Sequence, residues 1–388
     1  MKKRGVLLLG LTLLLTACKQ DPMIKLNPDV QASIEKKQSE RKQNMSETEK
    51  ASDTTSSDNT AIQSIDRSQW KKLAEDTVFD LANYVPNEID QLKQFTTGEQ
   101  TQLVYTDYVD ESGQLWQLRT LLPDNTYDVA IYRLLPNKLE QVSLQLNTTD
   151  VGDHLGDVLM NRQMNAVTLL QAPLQVGTTW ETELGDAAIT ALYESVTLGQ
   201  TTYQEIVEVT IAEETQDMRY YYAAGIGLIL EESQAVNSQT SQIQLALQRY
   251  QANVNITQKI QIAEPTEQGK PLLQSAEAEL TWKTNQPWEQ TWTQLFRDKK
   301  WLNNKVSVNA LNVQADLVEI DFTPGIVAAM NQHKATEKAV IPAIVQTIAN
   351  YYHVKQVKIT VNGSILAPDQ LEVQPNGIWK VEAKWLTN

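Results

Sequence analysis

Thiols are almost absent from the sequence, whose 388 residues hold one cysteine, Cys18. With no second thiol the chain forms no internal disulfide, so its folded parts rest on core burial alone. Histidine is nearly as scarce, with His154, His333 and His353 the only three. None stands in His-Glu-x-x-His, and no Gly-x-Ser-x-Gly elbow occurs, so the sequence marks of a zinc peptidase or an α/β-hydrolase are missing. Basic charge is in deficit: 33 Lys and Arg stand against 48 Asp and Glu, a net charge of −15. A chain of that sign gains nothing from counterion release on a polyanion, so nucleic acid is not an expected partner. The same sign repels anionic headgroups and favours a body held off a membrane surface. The apolar run from Gly5 to Leu15 is too short to span: about eleven residues rise roughly 16 Å as a helix, against roughly 30 Å of hydrocarbon.

What surrounds that run is ordered. Lys2, Lys3 and Arg4 precede it, and Leu15-Thr16-Ala17-Cys18 closes it, which is the pattern of a cleaved signal. The tetrapeptide resembles the lipobox, Leu-[Ala/Ser/Thr]-[Gly/Ala]-Cys. That resemblance implies that Leu15, Thr16 and Ala17 are the cleavage recognition residues and that Cys18 carries the lipid. Each buried methylene of an acyl chain contributes about 0.8 kcal/mol, so several chains hold firmly. The membrane is then a partner through Cys18, and the expected location is the extracytoplasmic face of a cell membrane, in a Gram-positive envelope. A Cys18 consumed by lipid also leaves no thiol nucleophile.

Residues 18–68 read as a flexible tether after a 1–17 signal. Stretches such as Ser52-Asp53-Thr54-Thr55-Ser56-Ser57-Asp58 carry too few large apolar side chains to offset the entropy of ordering. From residue 69 to 252 the pattern predicts an antiparallel β-rich domain. Trp70, Leu73, Ala74, Val78 and Leu81 fit one face of a covering helix. Strands then follow at Leu103-Val104-Tyr105, 115–118, 127–132 and 141–146, and again at 188–196, 202–211, 219–222, 228–230 and 243–250. Short alternating runs between turn signals predict a curved sheet, sandwich or partial barrel.

Residues 253–388 have another grammar. Strands are expected at 254–260 and 280–282, and Trp288, Trp292, Leu295 and Phe296 fall on one helical stripe, with Pro287 suited to its first turn. Val306-Ser307-Val308 and 317–322 read as a hairpin. A second helix ends near Tyr352, and a strand from Lys355 to Val361 closes at Asn362-Gly363. The series Val318-Glu319-Ile320-Asp321-Phe322-Thr323, an Ala-Ile-Val helix, then Val357-Lys358-Ile359-Thr360-Val361-Asn362-Gly363 resembles the GerMN domain over roughly residues 253 to 370. Leu302-Asn303-Asn304-Lys305 stands where that family usually carries Pro-Pro-Gly. The resemblance implies an extracytoplasmic α+β module of sporulation, germination and envelope lipoproteins, engaged in protein association. The fold class expected for the whole chain is α+β: the antiparallel β-rich domain followed by a smaller GerMN-like α+β domain.

Sites of chemistry are few. Asp150, Asp153, His154 and Asp157 cluster without the spacing of a calcium loop and read as a solvated turn. His353 follows an apolar helix and complements its dipole. Gly225-Ile226-Gly227 lacks a third glycine and a following helix, so it reads as a turn. Adjacent pairs such as Glu231-Glu232 point to opposite strand faces, and most such carboxylates are expected at the surface. Trp288 and Trp292 are core expectations, whereas Trp301 and Trp385 follow no period and are the candidate partner-binding residues. The expectation is therefore a lipoprotein that is not an enzyme, with no cofactor and no metal. It binds or scaffolds an envelope protein or wall component, and a small-molecule ligand is not expected. The alternatives are the solute-binding lipoprotein of an importer and a wall-active hydrolase.

Overall fold

The computed structural model of the chain describes Ile62 and residues 65–386, apart from 86–88, 99, 123–125, 161–165, 268–269, 315 and 333–335. The signal, Cys18 and most of the tether lie outside the described residues, as does His333. Strands far outnumber helices, so the chain as a whole is mostly β.

Thirteen strands form one antiparallel sheet. In chain order they are β1 (Lys71–Lys72), β2 (Leu92–Thr97), β3 (Gln100–Val109), β4 (Leu115–Leu121), β5 (Tyr127–Leu135), β6 (Lys138–Thr148) and β7 (Val167–Gln171). They continue with β8 (Thr179–Glu181), β9 (Asp186–Leu198), β10 (Thr201–Ala212), β11 (Gln216–Ala223), β12 (Gly227–Ala235) and β13 (Gln242–Gln251), while the short helix α1 (Leu155–Met160) separates β6 from β7. Two meanders, β2 to β7 and β9 to β13, are joined where β13 pairs with β2. The sheet folds over on itself, because Trp116, Leu139 and Leu170 of the first meander share a core with Ile189, Val209, Tyr220 and Tyr222 of the second. β9 alternates as a strand with one buried face does, whereas β4, β11 and β12 are buried on both faces for much of their length. The sheet's outer face is covered in part by α1, through Leu155 and Val158 against Leu115, Ile131 and Val142.

The helix expected around Trp70 is not formed. The side chains of Asp66 and Asp80 accept from the Ser68 and Ala82 amides at 2.9 and 3.0 Å and open separate 3-10 turns, Arg67–Gln69 and Leu81–Tyr84. Between them the chain is largely extended and bonds to β9, with the Leu73 amide 2.8 Å from the Leu192 carbonyl. Trp70 instead packs edge-on against Tyr193 and Tyr221, each at 5.4 Å, with the Arg67 guanidinium 4.9 Å above its ring and paired with Glu232. With Ile62 and Ile65 also against this core, the segment is a strap on the sheet's outer face.

The C-terminal unit begins with a long hairpin, β14 (Ile256–Pro265) and β15 (Leu273–Trp282), followed by helix α2 (Trp288–Asp298). Then come β16 (Val308–Val313), β17 (Leu317–Phe322), α3 (Ile326–Met330), α4 (Glu337–Tyr351), β18 (Gln356–Val361), β19 (Ser364–Ile365) and β20 (Ile378–Lys380). β16 and β17 pair antiparallel as a hairpin, but the first strand runs Val308–Val313 and not over Val306-Ser307-Val308 as expected, because Val306 and Ser307 belong to the connection from α2; β18 lies parallel to β17 after a helical crossover. Helix α4 sits between the hairpin and this small sheet. From Val340 to Ala349 every residue is buried, the signature of a helix enclosed on all sides.

Candidate functional site

The tryptophans singled out for binding belong to the core. Trp301 is 3% exposed and Trp385 is 6% exposed. The Trp301 ring stacks on Phe296 at 5.6 Å, and its amide donates to the Phe296 carbonyl at 2.8 Å, so the turn after α2 carries it back inward. Trp385 rides on a C-terminal 3-10 turn into the same core. Their lack of period reflects irregular backbone, and the expectation that they face a partner is corrected. Trp288 and Trp292 are buried as expected, with the Trp292 indole donating to the Tyr352 hydroxyl at 2.9 Å.

The acidic cluster at residues 150–157 is a set of local ties. Asp150 accepts from the Gly152 amide and Asp153 from the Leu155 amide, both at 2.8 Å. His154 lies 3.5 Å from Asp150 and 3.4 Å from Asp157. No group of three His, Cys, Asp or Glu able to hold a metal occurs among the described residues. Gly225-Ile226-Gly227 is the turn joining β11 to β12. Glu231 and Glu232 do point to opposite faces, yet both are buried rather than at the surface, Glu232 against Arg67 of the strap. A cavity between β7 and the β8–β9 turn, lined among others by Thr168, Glu183 and Tyr220, has a volume of about 10 Å³, room for one water.

The most developed polar constellation is one that periodicity did not reveal, where the large sheet meets the C-terminal unit. Asp107 on β3 and Arg119 on β4 form a buried pair, with Arg119 Nε and Nη2 at 2.7 and 2.6 Å from one carboxylate oxygen. Gln117 donates to the same oxygen at 2.8 Å, and Arg119 Nη1 donates to the Asp150 carbonyl at 2.6 Å. Burial pushes the Asp107 carboxyl upward and Arg119 opposes it; burial disfavours the Arg119 charge, but Asp107 more than restores it. The guanidinium lies 5.1 Å above the Tyr127 ring, whose hydroxyl meets Tyr351 of α4 and donates to Gln258 of β14 at 3.0 Å. Tyr105 packs edge-on against Trp282 at 5.2 Å. Asp90 accepts from the Thr284 amide at 2.9 Å, and Asn285 accepts from the Val109 amide at 2.8 Å. This arrangement positions two bodies against each other. The only sequence cue was the placement of charged residues inside apolar strands.

Within the C-terminal unit, Asp321 explains its own motif. One carboxylate oxygen accepts from the Thr360 hydroxyl at 2.6 Å and the Gly363 amide at 2.8 Å, and the other accepts from Asn309 at 2.7 Å. Burial alone would raise this carboxyl, but those donors outweigh it and hold it below the usual value. The bonds pin the Asn362-Gly363 turn, where both residues have positive φ, the geometry that favours this dipeptide.

Residues 245–367 match the Germane family model, described as sporulation and spore germination. The match begins inside β13 and ends just beyond β19, so it takes in the hairpin, α2, α4 and strands β16 to β19 of the small sheet, leaving out β20. Neither the curated proteins nor the solved structures contain a match to this chain.

Proposed function

We propose that the chain is a lipid-anchored, non-catalytic envelope protein whose C-terminal unit binds an extracytoplasmic protein partner. The observation that carries the reading is the Germane match over residues 245–367. It is supported by the lipobox at Leu15-Thr16-Ala17-Cys18 and by a polar architecture devoted to pinning turns and joining bodies. The topology favours this reading over an importer's solute receptor, because every ladder of the large sheet is antiparallel, whereas such receptors are built from βαβ lobes.

The test is photo-crosslinking in cells from Ile365 and Val373, exposed apolar positions at the C-terminal end, with Val236 on the large sheet as the control. A single envelope protein captured from the first two positions and not from Val236 is the expected result. Capture from Val236 alone, or release of wall fragments by the purified protein, overturns the reading. A Cys18→Ser chain is expected to leave the membrane fraction; one that remains there uncleaved removes the anchor from the account.

A further inference from the structure

The inner face of β2 to β4 carries polar groups that the protein leaves unanswered. Gln91 and Lys93 point inward from the start of β2, at 1% and 5% exposure, and Thr106 stands beside Gln91 on β3, its amide 3.2 Å from the Gln91 carbonyl. Thr106 pairs with Leu118 of β4, and two residues along that strand on the same face lies Trp116, its ring over Tyr132 at 6.1 Å. Both amide atoms of Gln91, the Thr106 hydroxyl and the Trp116 indole nitrogen are buried without a hydrogen-bond partner.

Lys93 adds a charge to this face. Its ammonium donates to the Ile226 carbonyl, and among the described residues it has no carboxylate partner. Burial lowers it to about 8, so at neutral pH it remains mostly protonated. An ammonium offers three donors, and one carbonyl uses one of them. A buried cation without a counter-charge and a buried amide with neither end satisfied are each costly to the fold. Lys93 pairs with Val104, two residues along from Gln91 and Thr106, and unanswered groups aligned in this way on one face are what a polar ligand answers.

The site lies beneath the β11–β12 turn, where Gly225 is exposed and Ile226 half-buried. That turn hangs on the neighbouring loop through the Gly225 amide, 2.6 Å from the Asn83 carbonyl. We propose that this end of the inner face binds a small organic carboxylate. Its anionic oxygens take the place of the Ile226 carbonyl on Lys93, and a neighbouring amide or hydroxyl of the ligand pairs with Gln91 and Thr106. Trp116 and Tyr132 supply the aromatic wall. This goes beyond the partner-binding role and replaces the expectation that no small molecule binds; its failure leaves the crosslinking result untouched.

The experiment is titration calorimetry and thermal melting of the detergent-solubilised full chain with N-acetylglycine, which carries a carboxylate beside an amide. Its neutral counterpart N-acetylglycinamide is the control. Saturable binding and a raised melting temperature are expected with the carboxylate and not with the neutral compound. Lys93→Met weakens binding at least about tenfold, the scale of one charge-assisted hydrogen bond. Lys71→Met, at an exposed position, leaves it unchanged. Should Lys93→Met fail to fold, Gln91→Leu decides the matter. Removing an unanswered amide is expected to stabilise the chain while weakening the same binding. Absence of binding at 10 mM probe, on the order of the weakest specific affinities, or full affinity in Gln91→Leu, overturns the proposal.

Discussion

The large sheet and the C-terminal unit bury their side chains in different ways. The sheet divides its core into three clusters: one between its folded-over halves, one under the strap and one under α1. The C-terminal unit has a single continuous core, and that core crosses into the sheet to include Tyr105, Tyr127, Val129 and Val151. The six tryptophans of the last third of the chain, Trp282, Trp288, Trp292, Trp301, Trp379 and Trp385, all lie in it. A change of pattern at residue 253 therefore marks a change of architecture and not an energetic boundary. The matched module is fused to its neighbour through side chains that neither part could bury alone.

The sharpest way to break that comparison is Trp292→Ala. Removing a fully buried indole costs about 3–5 kcal/mol by cavity formation and lost contact. If the cores are fused, hydrogen exchange must accelerate in β3 and β5 of the sheet as well as in α2 and α4. Exchange that quickens only beyond residue 253 would show two separable bodies.

Asp107→Ala comes next and acts from the sheet side. It leaves Arg119 buried without its counter-charge, a loss of about 3 kcal/mol, at the lower end for such pairs because the Asp150 and Gly152 carbonyls still accept from the guanidinium. Urea unfolding measures the loss. Replacing both members, as Asp107→Leu with Arg119→Met, is expected to cost less than the single change; a larger cost would mean that the ion pair itself supplies net stability.

The smallest effect is expected inside the matched module. Asp321→Ala removes three hydrogen bonds from a half-buried carboxylate, for about 1 kcal/mol after solvent screening. Because the folded carboxyl is held below its usual value, its contribution is complete above about pH 4, where the unfolded carboxyl is ionised. It disappears as the pH falls through the lower folded value. The stability gap between Asp321→Ala and the parent chain should therefore close on acidification; a gap constant down to pH 2 would assign the loss to packing.

The strands were largely legible because a sheet with one wet face writes its alternation into the sequence, as β17 and β18 do. Helix α2 was legible through its stripe, and the Asn362-Gly363 turn through the dipeptide itself. Three features were not. The strap around Trp70 carries apolar residues at helical spacing, but Trp70, Leu73 and Leu81 pack against the sheet while Ala74 and Val78 face solvent, a division that period alone cannot foresee. Trp301 and Trp385 lie in irregular backbone, where no period separates core from surface. Asp107 and Arg119 are twelve positions apart on paired strands, so their meeting depends on register and has no local sign.

Helix α4 has a further consequence for recognition. With ten consecutive residues enclosed, it offers no stripe that another helix could grip, and it cannot rotate to expose one without emptying the core. A protein that docks on this module is left the loop tips, the exposed face of α2 at Gln290, Gln294 and Asp298, the polar face of the β14–β15 hairpin, or the margin of the small sheet near Ile365. Selectivity would then reside in the parts of the chain that pattern constrains least.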